Sequence, residues 1–487
     1  MRTAHQKYRR GRQLLAAVLA MAALALAGSV PAQAEADIER QAAAITASLR
    51  LPQIPQDRIY RVTDYGAVPD DRRDDRPAFQ QAMDHAAQTG GVVLVPSGHF
   101  YLAGPLMLRS HVELRLDDGA VLDFSHHPDD YAGKLVLTRF ECTECYNYSP
   151  FLYVYGGEDI AVTGSGSPQQ GVIDGHGDAW WPWVGAGLWK GSYPNQQQAS
   201  SELKEMGNDD VPVEQRIFGR GHYLRPVLIQ PYASKRVLIR GIRVKNSPMY
   251  HINPVLCEDV MVDHVAIEAS GPNTDGVDPD ACRNVWIRDS FFQTGDDCIA
   301  IKAGRDNDGR RVGRPSQRIV IERNVFRGGH GGVTMGSEMA GGIGQVYSLH
   351  NVMDSPDLRW AYRFKTNSRR GGGVEGFWAF GDEIRRVSRA VLTVDMAYDG
   401  GDIGEYTPDI HGLHLENLTV DACHTPLADI QTYARNPVYD FTWKHCVVRR
   451  AGSSGGRVFR LDETPAENIH LTGMQINGKV CDGAADF

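Results

Sequence analysis

Cys257-Glu258-Asp259-Val260 and Cys282-Arg283-Asn284-Val285 are two copies of one pattern, and each runs into alternating apolar residues. Ser234-Lys235-Arg236-Val237 and Ser316-Gln317-Arg318-Ile319 place similar residues in the same slots. Further segments of this kind continue toward the C-terminus, and together their first apolar residues are 237, 260, 285, 319, 346, 377, 413, 441 and 469. Short strands that recur with a loose period of roughly 20 to 50 residues are typical of a solenoid.

This repeat predicts an all-β fold, a single-domain right-handed parallel β-helix over residues 61–487. In such a solenoid like residues stack about 4.8 Å apart, and each rung contacts mainly its neighbours. A length of 487 residues alone would suggest about three domains of roughly 150 residues. A repeat architecture escapes that estimate. A β-sandwich is the alternative, and the persistence of the repeat argues against it.

Helical periodicity is confined to the N-terminal part of the chain. Residues 77–88 predict a helix that caps the N-terminal end of the stack, with Pro77 in its first turn and Gly90-Gly91 after its end. Residues 38–50 are Ala-rich and predict a short amphipathic helix. Val62-Thr63-Asp64-Tyr65-Gly66-Ala67 is predicted to be a strand that runs into a turn.

The first 34 residues have the three parts of a secretory signal peptide. Positions 2–12 carry basic residues without an acid, 14–27 are rich in Leu and Ala, and Ala32-Gln33-Ala34 offers a cleavage site. The apolar run is shorter than the ~20 residues of a membrane span. We therefore expect a secreted or periplasmic protein without membrane attachment, in which residues 35–60 form an N-terminal extension. A twin-arginine signal at Arg9-Arg10 is the weaker alternative.

Composition and charge exclude several classes of protein. A hydrophobic content of 42% is too high for a disordered chain, and eight Cys are too few for a disulfide scaffold. The net charge of −9 becomes −14 if the signal peptide is removed, because the leader holds five basic residues and no acidic one. This balance argues against a nucleic-acid partner. We expect a monomer.

The cysteines leave alternatives open. Cys257 and Cys282 occupy equivalent slots one rung apart, which suits either a disulfide or a stack of buried thiols. Cys142 and Cys145 form a C-x-x-C motif without further zinc ligands at partner spacing, and a loop disulfide is predicted there rather than a redox motif.

Residues 165–225 interrupt the repeat and predict a long loop insertion. It contains four Trp, which are Trp180, Trp181, Trp183 and Trp189. Two interpretations have equal weight. The rings could line a sugar-binding cleft, or the loop could be packed by its own Trp residues.

Four polar motifs on consecutive predicted rungs indicate a catalytic site. They are Asn273-Thr274-Asp275, Gly295-Asp296-Asp297, Gly329-His330-Gly331 and Arg363-Phe364-Lys365. Rung stacking would bring three carboxylates together, so that one should have a raised pKa and hold a proton. A proton donor beside a carboxylate is what glycoside hydrolysis requires. Each motif alone is more typical of a turn or a solvated face; their order and spacing favour a site.

The four motifs together resemble the signature of glycoside hydrolase family 28, the polygalacturonases and their relatives. Residues 62–67 and Gly171-Val172-Ile173-Asp174-Gly175 add to the similarity, which covers roughly residues 60–470. The sequence around Met335-Gly336-Ser337-Glu338-Met339 and at residues 363–371 is most similar to that of bacterial exo-polygalacturonases. The resemblance implies inverting hydrolysis of α-1,4-galacturonosyl linkages in pectin, with no metal or cofactor.

The resemblance also implies roles for individual residues. Asp296 matches the general acid, Asp275 and Asp297 match the pair that activates water, and His330 matches the residue that assists the acid. The expected substrate-binding residues are Asn273, Lys302, Arg363 and Lys365. Inversion leads us to expect roughly 6.5 to 9.5 Å between Asp296 and at least one other carboxylate. Fungal relatives typically pair the Cys after G-D-D with a Cys before G-H-G, but Cys298 lacks that partner here and is expected to be a buried thiol.

The basic residues near the motifs bear on the substrate. Arg363 and Lys365 favour a uronic acid as the substrate. Further basic residues near the motifs could bind more carboxylates or a chain end, or half of them could be surface charges. These further residues are Lys302, Arg305, Arg310, Arg311, Arg369 and Arg370. The insertion could wall one end of the cleft and impose exo action. A hydrolase of another pectin backbone such as rhamnogalacturonan, a calcium-dependent pectate lyase and a non-catalytic carbohydrate-binding β-helix are the alternatives.

Overall fold

The repeating segments of the sequence are parallel strands stacked in register. The computed structural model describes residues 32–423, 426–451 and 458–484, so the predicted signal peptide lies almost wholly outside the described residues. Three stacks of strands run along the chain. The first face consists of Ile59–Arg61, Gly91–Val95, Val112–Leu116, Glu158–Thr163, Lys235–Arg240, Glu258–Asp263, Arg283–Arg288, Ser316–Glu322, Ile343–Leu349, Gly373–Phe380, Asp409–Glu416, Tyr439–Lys444 and Ile469–Ile476.

Two further stacks complete each rung. The second face consists of Gly98–Leu102, Ala120–Phe124, Val172–Asp174, Arg243–Lys245, Ala266–Glu268, Phe291–Gln293, the start of Val325–Gly336, Val352–Asp354, Glu383–Arg386, Thr419–Val420 and Val447–Val448. The third face consists of Leu106–Met107, Leu152–Tyr155, Ile229–Tyr232, Ile299–Ile301, the end of Val325–Gly336, Leu358–Lys365, Leu392–Asp395, Ala428–Gln431 and Phe459–Asp462. Single bridges at Ile252 and Val277 continue the third face.

The core lies inside the rungs. The nine positions whose spacing predicted the repeat pair with one another in succession along the first face, from Val237 to Ile469, and each is buried. Parallel strands with one face buried fix their register through such inward residues, since a slip of one residue would turn them outward. The predicted right-handed parallel β-helix is confirmed.

Within the described residues, four α-helices and two antiparallel additions lie outside the stacks. The helices are α1 (Ala32–Ser48), α2 (Arg76–Ala86), α3 (Gln197–Asn208) and α4 (Asp306–Val312). Val136–Phe140 and Thr143–Asn147 form a hairpin, and Lys479–Ala484 pairs with the last strand of the first face. The chain divides into two compact units at Arg40, of which the second carries all the strands. None of the helices in the described residues has the length and hydropathy to cross a membrane.

The predicted N-terminal helix is confirmed, but the segment before it differs from the prediction. The helix over 77–88 is α2, whose apolar face is fully or nearly buried. Val62–Tyr65 is a 3-10 helix rather than a strand, and the strand precedes it at Ile59–Arg61. Gly66 has φ 99° and its N–H bonds back to the turn, a left-handed conformation that ends the helix and that glycine adopts without strain.

The insertion is packed partly by its own aromatic rings. Trp180 is fully buried against Tyr131 and Trp183. Trp181 is partly exposed, and its Nε1 donates to the Ser247 carbonyl at 3.0 Å. The self-packed interpretation therefore holds for Trp180.

The cysteines are thiols, which corrects one prediction. Cys142 and Cys145 are buried and unbonded, so the expected loop disulfide is absent there. Cys257 and Cys282 are also thiols, and the sulfur of Cys282 accepts the Cys257 backbone N–H at 3.4 Å. Cys298 is a buried thiol, as expected from its missing partner.

Candidate active site

The register of the third face assembles the four polar motifs. Val277 pairs with Ile299, which pairs with Val333, which pairs with Tyr362. Counting back along these strands places Asp275 beside Asp297. The same register places Asp296 beside His330, whose backbone N–H donates to the Asp296 carbonyl at 3.0 Å. The spacing of the motifs therefore produces one cluster.

The three carboxylates form one close cluster. One oxygen each of Asp275, Asp296 and Asp297 lies within 4.8 Å of the others. The range of about 6.5 to 9.5 Å that is typical of inverting enzymes refers to whole carboxyl groups, so the expected separation stays a prediction. The side chains of Asp275 and Asp297 are buried, whereas that of Asp296 is 18% exposed. Asp296 is therefore the carboxylate that a substrate oxygen can approach most readily.

Two cations hold Asp297 in its ionised form. Lys365 Nζ donates to one carboxylate oxygen at 2.8 Å, and Arg363 donates to the other at 3.2 Å. Burial alone would raise the pKa of Asp297, but Lys365 and Arg363 outweigh it and the pKa is lowered. A permanently charged carboxylate of this kind can orient and activate a water molecule.

Asp275 is the member of the cluster whose pKa is raised. Its Oδ1 has no hydrogen-bond partner among the residues that the structure describes. Burial raises its pKa, and the neighbouring charge of Asp296 raises it further. The raised pKa that was expected in the cluster thus belongs to Asp275, whereas the pKa of Asp296 is lowered. Asp278, fully buried below it, has a raised pKa for the same main reason.

A hydrogen bond from His330 lowers the pKa of Asp296. The Nδ1 of His330 lies 2.8 Å from Asp296 Oδ1. Burial would raise the pKa of Asp296, but the hydrogen bond from His330 outweighs that contribution and the pKa is lowered. Bound substrate would displace water from this exposed carboxylate, and the loss of solvation favours its protonated form.

The other predicted binding residues have protein partners. Asn273 Oδ1 accepts a hydrogen bond from Arg225 at 2.6 Å. Lys302 is buried, with Nζ 3.4 Å from Glu338 and 3.9 Å from Asp278. The charge of Lys302 therefore compensates those of the buried acids. Asn273 and Lys302 both also line the cavity at the carboxylates.

A polar cavity of about 230 Å³ opens at the carboxylates. Its lining consists of Glu141, Lys204, Tyr250, Asn273, Asp275, Asp296, Lys302, Arg305, Ser337, Glu338, Lys365, Arg370, Tyr398 and Asp399. Almost every one of these side chains is charged or polar. The cavity therefore suits a small, charged and hydroxylated ligand.

Ion pairs close one side of the cavity. Glu141, at the tip of the hairpin, pairs with Lys204 of α3 at 2.8 Å and with Arg305 at 3.1 Å. Arg305 also pairs with Glu338 at 3.2 Å, and Arg370 pairs with Glu338 at 3.4 Å. The hairpin, α3 and the loops after the third face are thus tied together around one end of the site.

The hairpin covers the third face on the N-terminal side of the carboxylates. Thr138 donates to Gln230 at 2.6 Å, and Arg139 pairs with Asp280 at 2.8 Å. Gln230 belongs to the strand Ile229–Tyr232 of the third face. These contacts place the hairpin against the rungs of the third face that contain Gln230 and Asp280.

Several site residues were missed by sequence reasoning. Glu141, Lys204 and Tyr250 lie outside the motifs, and nothing in their local sequence indicates a site. Arg225 bonds the carbonyls of Pro248 and Pro272 as well as Asn273, and burial lowers its pKa to about 10. A further supporting residue is His251, whose Nδ1 donates to the Asp275 carbonyl at 2.8 Å and whose pKa burial lowers to about 4.

The extra basic residues divide as the alternative anticipated. Arg305 and Arg370 line the cavity. Arg310 instead stacks on the Tyr406 ring at 3.6 Å, and Arg311 pairs with Asp308 at 2.9 Å. Arg369 does not line the cavity.

The carboxylate cluster is also the place where a cation could be held. Asp275, Asp296 and Asp297 present oxygens at suitable mutual distances. Lys365 and Arg363 already form ion pairs with Asp297, and their positive charges would repel a bound cation. The arrangement fits acid–base chemistry better than metal ligation.

A buried ionised carboxylate, a partly exposed carboxylate and a polar cavity on a parallel β-helix suit a glycoside hydrolase. Sequence comparison agrees. The profile of glycosyl hydrolases family 28 matches residues 220–458, and one described as rhamnogalacturonase A/epimerase, pectate lyase-like matches residues 59–117. A hyperthermoactive exopolygalacturonase from Thermotoga maritima, known from its crystal structure, is 36% identical, with a TM-score of 0.82 over 92% of this chain and 99% of that chain.

Curated relatives point the same way. An exo-poly-alpha-D-galacturonosidase from Dickeya chrysanthemi is 27% identical over 86% of this chain and 71% of its own length. A probable polygalacturonase from Vitis vinifera is 29% identical over 68% of this chain, and the match spans 61% of the grapevine protein. The chain belongs to glycosyl hydrolase family 28.

Proposed function

We propose that the protein is an exo-polygalacturonase, which releases galacturonate units from one end of pectic polygalacturonate. The observation that carries this proposal is the cavity, which is closed by the hairpin and α3 on one side of the carboxylates and is lined by buried cations. A chain end can enter such a cavity, whereas the middle of a polymer cannot pass through it. The names of the relatives from Thermotoga maritima and Dickeya chrysanthemi support the same activity.

The carboxylates have separate roles in this proposal. Asp296, the exposed member, protonates the glycosidic oxygen, and its proton is controlled by His330. Asp297, held ionised by Lys365 and Arg363, together with Asp275 positions and deprotonates the attacking water. When substrate is bound, the proton of the cluster can pass from Asp275 to Asp296 through the water molecule held between them, since their oxygens lie within 4.8 Å. Lys365 is placed to share its charge with a galacturonate carboxylate.

The stereochemical outcome is part of the proposal. The family resemblance favours inversion, whereas a retaining mechanism would need one carboxylate to act as a covalent nucleophile. Asp297 is fully buried and bound by two cations, so it is a poor candidate for a covalent nucleophile. We therefore favour inversion. Proton NMR of the first product decides the point: β-galacturonate at early times supports inversion, and α-galacturonate indicates retention.

Product analysis tests the activity itself. Polygalacturonate is incubated with the purified protein, and products are separated at low conversion. Accumulation of one short product from the start, with a slow fall in viscosity, is expected for exo action. A ladder of oligomers with a rapid fall in viscosity would indicate endo action. Unsaturated products that absorb in the ultraviolet and need calcium would identify a lyase, and no product at all would leave a binding protein.

The cellular context remains a proposal as well. We propose export of the chain through a signal peptide at residues 1–34, with residues 35–60 as an extension and residues 61–487 as the catalytic domain. Pectin is too large to enter a cell intact, so this location suits the proposed substrate. N-terminal sequencing of protein collected from the medium or the periplasm tests it. A mature protein that starts at Met1 would contradict it.

A further inference from the structure

The column of residues that carries the acid continues into two exposed arginines. Asp296 lies beside His330, and the pairing of Gly329 with Leu358 and of Gly331 with Trp360 places His330 beside Arg359. On the next rung, the backbone N–H of Arg389 donates to the Arg359 carbonyl at 2.9 Å. The order along the stack is therefore acid, histidine, arginine, arginine.

These arginines are available to a ligand. Arg359 and Arg389 are exposed. Within residues 32–423, 426–451 and 458–484, no carboxylate lies within ion-pair distance of either guanidinium. In a chain with a net charge of −9, two adjacent unpaired cations beside the active site are a local reversal of charge.

A tryptophan links Arg389 to the catalytic cluster. The guanidinium carbon of Arg389 lies 5.0 Å from the centre of the Trp360 ring, and that of Arg363 lies 4.5 Å from the same ring. Arg363 in turn bonds Asp297 at 3.2 Å. Such cation–π contacts restrict a long flexible side chain and lower the entropy lost when it binds an anion. Trp360 thus holds Arg389 near the open side of the site.

We propose that Arg389, positioned by Trp360 and assisted by Arg359, is a binding site for uronate carboxylates of the polymer on the open side of the cleavage point. The inference rests on the proposed polygalacturonase activity and deepens it. The hairpin blocks the N-terminal rungs, so the uncleaved part of the chain runs over the C-terminal rungs, where these arginines lie. Arginine suits this task because its planar fork matches a carboxylate.

The test compares substrates that differ by one sugar residue. A dimer spans only the cleaved bond, whereas a trimer places one more carboxylate beyond it. In Arg389→Gln, the ratio of kcat/KM for trigalacturonate to that for digalacturonate is expected to fall about fivefold, as for loss of one exposed ion pair. Trp360→Leu should lower the same ratio, mainly through KM. Arg359→Gln should lower it less.

The control is Arg283→Gln, because Arg283 is also exposed and without an ion-pair partner in the described part of the chain, but lies on the first face. It should leave the ratio unchanged. A ratio in Arg389→Gln equal to that of the control would overturn the inference. If the unmodified protein releases no sugar from any galacturonate oligomer, the proposed function fails instead, so the two failures are distinguishable.

Discussion

At the scale of single residues, the site depends on where one proton resides. Asp275, Asp296 and Asp297 carry the same side chain but have different surroundings. Asp297 faces two cations, Asp296 faces His330 and solvent, and Asp275 is buried without a partner for one oxygen. Environment alone therefore distinguishes the proposed base from the proposed acid, and each assignment can be tested by changing a neighbour.

Asp296→Asn removes the proton donor. Turnover on polygalacturonate is expected to fall by ~10² to 10⁴-fold, the usual contribution of a general acid. Substrate binding should change little, because Asn retains the shape of Asp. Steady-state kinetics and calorimetric titration with oligogalacturonate measure the two effects. An equal loss from Asp275→Asn with full activity of Asp296→Asn would transfer the acid role to Asp275.

Lys365→Met should move the acidic limb of the pH profile. The base acts only when ionised, so activity is lost as pH falls through the pKa of Asp297. Lys365 is a main cause of the lowered pKa; without it the pKa rises and the limb of kcat/KM moves to higher pH. Lys235→Met, at an exposed position of the first face, serves as the control. An unmoved limb would show that Asp297 is not the base.

His330→Ala should move the alkaline limb. The acid acts only when protonated, so activity is lost as pH rises through its pKa. The hydrogen bond from His330 lowers the pKa of Asp296; its removal raises that pKa and moves the limb to higher pH, while the maximum rate falls. A limb that stays in place while the rate falls would indicate that His330 acts on the substrate directly.

At the scale of elements, a ladder of buried amides joins successive rungs. The Asn324 backbone N–H donates to Asn351 Oδ1 at 2.9 Å, and the Asn351 backbone N–H donates to Asp382 Oδ1 at 2.7 Å. All three residues are fully buried. The side chains of Asn351 and Asp382 each accept a hydrogen bond from a backbone N–H in the preceding rung. The ladder therefore stabilises the bends between the first and second faces.

Asn351→Ala tests how much this ladder contributes to the free energy of unfolding. The substitution leaves the buried backbone N–H of Asn324 without its acceptor and removes the side-chain donor from Asn351 to Asp382, and it is expected to cost about 2 to 3 kcal/mol of stability. Thermal unfolding followed by circular dichroism measures the loss. Gln475→Ala, at an exposed position of the last strand of the first face, is the control and should change stability by less than about 0.5 kcal/mol. Equal effects would mean that the ladder is not a stabilising element.

The same scale explains what the sequence could and could not predict. The strands were predictable because inward residues such as Val260 and Val285 repeat with the rung. The carboxylate cluster was predictable because the same register places Asp275 beside Asp297. Helices α3 and α4 and the hairpin escaped prediction, since loops that close a cavity have no period of their own. The unusual pKa of Asp275 depends on distant parts of the chain that bury it.

At the scale of the whole molecule, the positive charge near the active site contrasts with the net negative charge of the chain. The chain is acidic overall, yet cations gather in the cavity and beside it. We predict that kcat/KM on long polygalacturonate rises between roughly 10 and 100 mM salt, because salt screens the long-range repulsion between two polyanions more than the buried contacts. Digalacturonate should respond less. A steady fall with salt for the long substrate would show that the local cations dominate the encounter.

The stacked register described for the third face also bears on how such enzymes diversify. A loop between two faces of a rung can lengthen, as between Val172–Asp174 and Ile229–Tyr232, without altering which residues lie side by side within the stack. An insertion inside a strand would shift that alignment and separate the carboxylates. Selection can therefore remodel the entrance and the reach of the cleft while the chemistry is inherited intact, so that chain-end preference and catalytic power evolve independently.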